Sequence, residues 1–180
     1  MTTYIAFLRG INVGGRAKIP MAQLRRIFAE KKLGNPRTVL QSGNAVFTSS
    51  AINAAALGVR LEAEIEKRFG LKPDVVLRTL RELDDAITNN PFPKEAKSDP
   101  GHLLFIFPKT RVSSGAATAL KAAIKGRERA VGKGLTVYVY YPDGIGTSKL
   151  TPAVIEKALG VRATGRNWNT VLKVSALAKA

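Results

Sequence analysis

Cysteine is absent from the chain, and histidine occurs once, at His102. Disulfides, thiolate zinc sites, iron–sulfur clusters and cysteine nucleophiles are thereby excluded, and one imidazole leaves little room for histidine metal sites or a conventional proton shuttle. No apolar run approaches the length that crosses a bilayer, and Met1-Thr-Thr-Tyr4 lacks the charged region that opens a leader peptide. The expectation is a cytoplasmic protein with no membrane partner. Acidic residues are also scarce: 13 Asp and Glu stand against 29 Lys and Arg, for a formal net charge of +16. A field of that sign attracts polyanions and speeds their encounter, although it says nothing about fold. Divided at residue 95, both parts of the chain are basic, and neither terminus carries a basic tail. A broad basic surface is therefore expected, in place of an arm. High charge that merely maintains solubility is the plainer reading.

At 180 residues and 45% hydrophobic content, the chain can bury a core as one domain or two small ones. Its organising stretch is Leu8-Arg9-Gly10-Ile11-Asn12-Val13-Gly14-Gly15. An apolar strand, Tyr4 to Leu8, runs into it, and a helix opened by Pro20 leaves it. Glycines let a ligand lie against bare backbone N–H groups, and Arg9, Asn12, Arg16 and Lys18 add donors. With no carboxylate between Met1 and Ala29, the loop suits an anion or a neutral polar group better than a cation. The spacing fits neither a P-loop nor a dinucleotide fingerprint. A tight turn packed under the sheet is the alternative reading.

The rest of the chain reads as a series of short elements. Met21, Leu24, Ile27 and Phe28 repeat at helical spacing, with Gly34 as the expected stop. Strands at 37–41 and 45–48 flank the turn Ser42-Gly43. Asn53 or Ser50 can cap a helix carrying Leu57, Leu61 and Ile65 up to Gly70, a strand follows at 74–78, and Thr79 with Glu82 forms a capping box for a helix to Asn89. This βαββαβ order is ferredoxin-like and defines an expected first subdomain over 1–90. The proline-rich stretch 91–101 reads as a linker. Beyond it come an apolar strand from His102 to Phe107, a helix capped by Ser113, a hairpin around Gly132-Lys-Gly134, and a helix from Thr151-Pro152 to Gly160. A last helix follows from Asn167. The second subdomain, 102–180, is thus expected as a related βαββα unit whose final strand is replaced by a C-terminal helix. The fold class expected is α+β, by structural duplication.

Three later motifs carry polar recognition groups. Gln41-Ser42-Gly43-Asn44 suffices as a hairpin turn, yet Gln41 and Asn44 can also offer amide contacts. Ser42 has no assigned base and is a poor nucleophile candidate. Pro142-Asp-Gly-Ile-Gly-Thr-Ser-Lys149 repeats the strand, glycines, helix order of the first loop, with Ser148 and Lys149 as phosphate donors or Ser148 as an ordinary cap. In Arg166-Asn167-Trp168-Asn169-Thr170, Arg166 can fork onto a phosphate, and Trp168 can stack on a base or pack its helix onto the body. Tyr138 and Tyr140 share one face of their strand.

The stretch from Leu8 to Gly15, the turn Gln41-Ser-Gly-Asn44 followed by Phe47, and the run from Arg166 to Thr170 together resemble an uncharacterised bacterial family, the DUF-1697 type domain of unknown function. That resemblance implies an α+β protein of two subdomains, with no activity, cofactor or catalytic residue to carry over. Gly165 departs from the pattern, which carries a larger residue there.

The expected ligand-binding set is Arg9, Gly10, Asn12, Gly14, Gly15, Lys18, Gln41, Ser42, Asn44, Ser148, Lys149, Arg166, Asn167, Trp168 and Asn169. No cofactor or metal is expected. Such a set recognises more readily than it transfers protons. The leading expectation is a protein that binds a phosphate-bearing ligand, nucleic acid before nucleotide; an enzyme acting on a nucleotide or phosphorylated small molecule, and a protein-interaction module, are the alternatives.

Overall fold

The structure, a computed structural model, describes residues 1–12 and 18–180. Chain contacts divide it into two compact units, Met1–Leu83 with Lys173–Ala180, and Asp84–Leu172.

In the first unit, β1 (Thr2–Arg9) is followed by α1 (Met21–Glu30), β2 (Gly34–Val39), β3 (Asn44–Ser49), α2 (Ala54–Phe69) and β4 (Asp74–Thr79). The antiparallel sheet has the order β2-β3-β1-β4, the ferredoxin-like arrangement. Alternate residues of the strands, among them Tyr4, Ala6, Leu8, Phe47 and Val75, face the α1 stripe Met21, Leu24, Ile27 and Phe28 and the α2 stripe Leu57, Leu61 and Ile65. The intervening Ile5, Phe7, Val46 and Val76 are buried as well. This explains why β1 is apolar without alternation.

Local signals act largely as the sequence predicts. Asn53 Oδ1 accepts from Ala56 N–H, Gly70 ends α2 at φ 66°, and Thr79 and Glu82 exchange their capping bonds. Gly34, by contrast, does not stop α1. Lys32 takes the left-handed position at φ 59°. Its N–H donates to Ala29 O, and Leu33 N–H donates to Phe28 O, a Schellman ending built without glycine. Gly34 instead opens β2 opposite Thr48, where an added Cβ would lie 2.3 Å from the Thr48 hydroxyl.

After α3 (Leu80–Thr88), the stretch 91–101 contains α4 (Pro93–Ser98) and belongs to the second unit. That unit repeats the pattern with β5 (Leu103–Pro108), α5 (Ala116–Ala123), β6 (Arg129–Lys133), β7 (Thr136–Tyr140), α6 (Pro152–Leu159) and β8 (Ala163–Asn167). Its sheet order, β6-β7-β5-β8, matches the first. The fourth strand β8 is present, and the C-terminal helix α7 (Trp168–Lys179) follows it without replacing it. Ile106, Val137 and Val139 face Leu120, Ile155 and Leu159, whereas Phe105, Phe107 and Tyr138 are buried on the opposite face. Both faces of β7 are therefore buried. Ser113 supplies only its carbonyl, to Ala116 N–H, and does not cap α5 through its side chain. No helix among the described residues is long and apolar enough to cross a membrane.

Candidate functional site

In the first unit, the strand-end loop and the β2–β3 loop are joined. Leu8 N–H donates to Gly43 O at 2.8 Å. Asn12, itself at φ 53°, accepts from Ile19 N–H at 2.8 Å and donates through Nδ2 to Ile19 O at 3.0 Å and Gln41 O at 2.7 Å. One amide thus closes the neck of the loop and ties it to a turn 29 residues away. Ile11 and Ile19 are buried beside it. Gly43 stands at φ 76°, and a Cβ there would meet Ile11 Cδ1 at 2.7 Å and Leu8 Cβ at 2.9 Å. Fully buried Asn44 donates to Val39 O and to the Ser42 hydroxyl. Arg9 lies across the sheet from Asp74, with NH1 3.8 Å from its carboxylate. Gly10, Lys18, Gln41 and Ser42 face solvent. Gly14, Gly15 and Arg16 lie outside the described residues.

In the second unit, the other glycine loop forms a pocket of about 210 Å³ lined chiefly by Lys125, Arg127, Glu128, Asp143, Ser148 and Lys149. The Ser148 hydroxyl donates to Glu128 and accepts from Leu150 N–H at 2.9 Å, while Gly126 N–H donates to the same carboxylate at 3.1 Å. The Ser148 hydrogen bond, ahead of the backbone ones, holds the Glu128 carboxyl below its ordinary value. A carboxylate so stabilised is a weak base, and a serine whose proton it holds is not thereby made a nucleophile. Arg127 pairs with Asp143 at 3.2 Å, and Thr147 donates to Asp143 O at 2.8 Å, closing the turn at Gly144, φ 86°. Lys125 and Lys149 remain as exposed cations at the rim. Sequence reasoning named Ser148 and Lys149 but missed Lys125, Arg127 and Glu128, which precede β6 and carry no motif.

The Arg-Asn-Trp run is mostly internal. Arg166 is buried, with NH1 donating to Thr164 Oγ1 and Gly165 O, each at 2.8 Å. Burial pulls its guanidinium down to about 10. Asn167 Oδ1 accepts from Thr170 N–H and caps α7, and Trp168 packs on Phe105 with ring centroids 5.4 Å apart. Asn169 is exposed. The first unit has the same device: Arg78 is buried near the end of β4, with NH1 donating to Leu77 O, immediately ahead of the Thr79 capping box. Arg78 pairs across to Ile5 of β1, as Arg166 pairs across to Phe105 of β5. His102 Nδ1 lies 2.9 Å from Asp99 Oδ2, which also accepts from Tyr140 OH at 3.0 Å. No group of three or more His, Asp or Glu suited to a metal ion occurs among the described residues.

Two ferredoxin-like units, each ending its fourth strand on a buried arginine and a capped helix, define a duplicated α+β protein. The chain belongs to the family described as Protein of unknown function (DUF1697), whose model matches residues 1–138. That match takes in the Gly10 loop and the Gln41 turn and stops short of the Arg166 run. A solved structure, that of the conserved bacterial protein SP0830 from Streptococcus pneumoniae, superposes with a TM-score of 0.78 at 22% identity, covering 98% of each chain. At that identity the likeness is one of fold. No curated protein matches the chain.

Proposed function

We propose that this protein binds a phosphate-bearing polymer, nucleic acid, through exposed cations that each unit carries by itself, Lys18 in the first and Lys125 and Lys149 in the second. The observation that supports this is where the acids have gone. Glu30, Glu64, Glu95 and Asp143 are taken up in ion pairs, and Glu82 and Glu128 by hydroxyl or amide donors. Lys18, Lys32, Arg60, Lys121, Lys133 and Lys149 are exposed and have no ion pair among the described residues. The surplus positive charge therefore faces water, where a polyanion displaces its own counterions to meet it. Trp168 and Tyr138 are committed to packing, so base stacking contributes little and recognition is of phosphate, largely blind to sequence.

Anisotropy of a labelled short single-stranded RNA tests this. Affinity should fall linearly with salt on logarithmic axes, by about 0.7 per phosphate neutralised. Lys149→Gln should weaken binding and reduce that slope by about the same amount. Absence of binding at low salt, or affinity indifferent to salt, would overturn the reading. Saturable binding of ATP with little salt dependence would favour an enzyme acting on nucleotides.

A further inference from the structure

We infer that the first unit carries a separate pocket for a small phosphate monoester, at the opposite end of its sheet from the Gly10 loop. The pairing of Thr2 with Ser49 places this end at the start of β1, whereas the Gly10 loop leaves its finish. A cavity of about 280 Å³ opens there between the end of α1, the end of β3 and the first half of α2. Lys31, Lys32, Arg60, Ser49 and Ser50 supply its polar side chains, Met1 lines it as well, and no carboxylate side chain does. Of the cations that line it, Lys31 is paired with Glu64 at 2.7 Å, a carboxylate that Arg68 shares at 3.0 Å. Lys32, Arg60 and Ser50 are exposed, with no side-chain hydrogen bond or ion pair among the described residues.

The chemistry of this set selects the ligand. A guanidinium offers a planar fork of donors that matches two phosphate oxygens, and an ammonium adds a compact charge. A phosphate monoester is close to a dianion at neutral pH, which suits two unpartnered cations better than a carboxylate does. Buried Leu33, Leu57 and Leu61 line the same cavity, so the ester carries a small apolar body. The volume lies just below the range of drug-sized ligand sites and suits a small molecule. Lys32 and Arg60 also belong to the basic surface of the nucleic-acid reading, but a polymer backbone needs neither the concavity nor the leucine lining, so this pocket does not depend on that reading.

Phenyl phosphate and inorganic phosphate are the probes, followed by amide chemical shifts of the full chain. Saturable shifts are expected at residues 31–33, 49–51 and 57–61, with phenyl phosphate bound roughly fivefold or more tightly than inorganic phosphate through its ring. Arg60→Gln should weaken phenyl phosphate roughly tenfold, the worth of one charge-assisted contact. Lys32→Gly should weaken it too while leaving the thermal midpoint unchanged or higher, so lost binding cannot be ascribed to lost folding. No saturation, equal affinity in Arg60→Gln, or shifts confined to the Gly10 loop would overturn the proposal. So would association with vesicles of anionic phospholipid in the absence of any response to phenyl phosphate.

Discussion

Asn12 and Gly43 show how single residues fix the candidate loops. Asn12→Ala removes three hydrogen bonds and leaves alanine at φ 53°. At about 1 kcal/mol net for each bond, a loss of about 3 kcal/mol is expected in urea unfolding. Gly43→Ala combines φ 76° with a Cβ 2.7 Å from Ile11 Cδ1 and should cost about 2 kcal/mol, whereas Gly144→Ala, whose Cβ meets only His102 Nε2 at 3.7 Å, should cost less. Equal losses for the two glycines would contradict the close-packing account. The sequence marks Asn12, Asn44 and Arg166 as polar residues at special positions, but a side-chain amide serves a ligand or a backbone carbonyl equally well. Which one it serves depends on Gln41 O for Asn12 and Val39 O for Asn44, partners that only the folded turn supplies. For Arg166, likewise, burial becomes legible only once β8 is known to pair with β5.

The helices of the first unit are linked by charge. Arg68 holds the Glu30 carboxyl below its ordinary 4.5, and Lys31, then Arg68, hold Glu64 there. Protons thus bind these carboxylates more weakly in the folded chain than in the unfolded one. Their contribution is complete above the unfolded value and is lost as pH falls below 4.5. The urea midpoint should decline through that range, and Glu64→Gln should flatten the decline; an equally steep acid limb in the variant would contradict the linkage. Elements with strong local signals were legible: the α1 stripe, the Thr79–Glu82 box, and the glycines that end α2 and α6. β8, which the sequence did not mark, had none. β8 is a five-residue edge strand containing Gly165 and Arg166, with no alternation to mark it, and it exists because β5 offers it an edge. Gly165 fits there because a Cβ would already lie 3.0 Å from Ile106 Cδ1.

Across the whole molecule, duplication is clear in topology and faint in sequence. What persists is a buried arginine and a cap at the end of each fourth strand, positions set by pairing geometry more than by residue identity. The net charge of +16 is likewise a property of the whole. If it serves a polyanion, single-stranded RNA should raise the thermal midpoint at low salt, with the gain vanishing as salt rises. A shift that persists at high salt would point to a compact anion site instead. Lys32 adds a consequence for anyone who would stabilise this fold. Its left-handed backbone costs about 1 kcal/mol that glycine would not incur. Selection for heat resistance alone would therefore discard Lys32 early, yielding a sturdier chain with a blunted phosphate pocket. Position 32 should be held fixed in any library meant to keep binding.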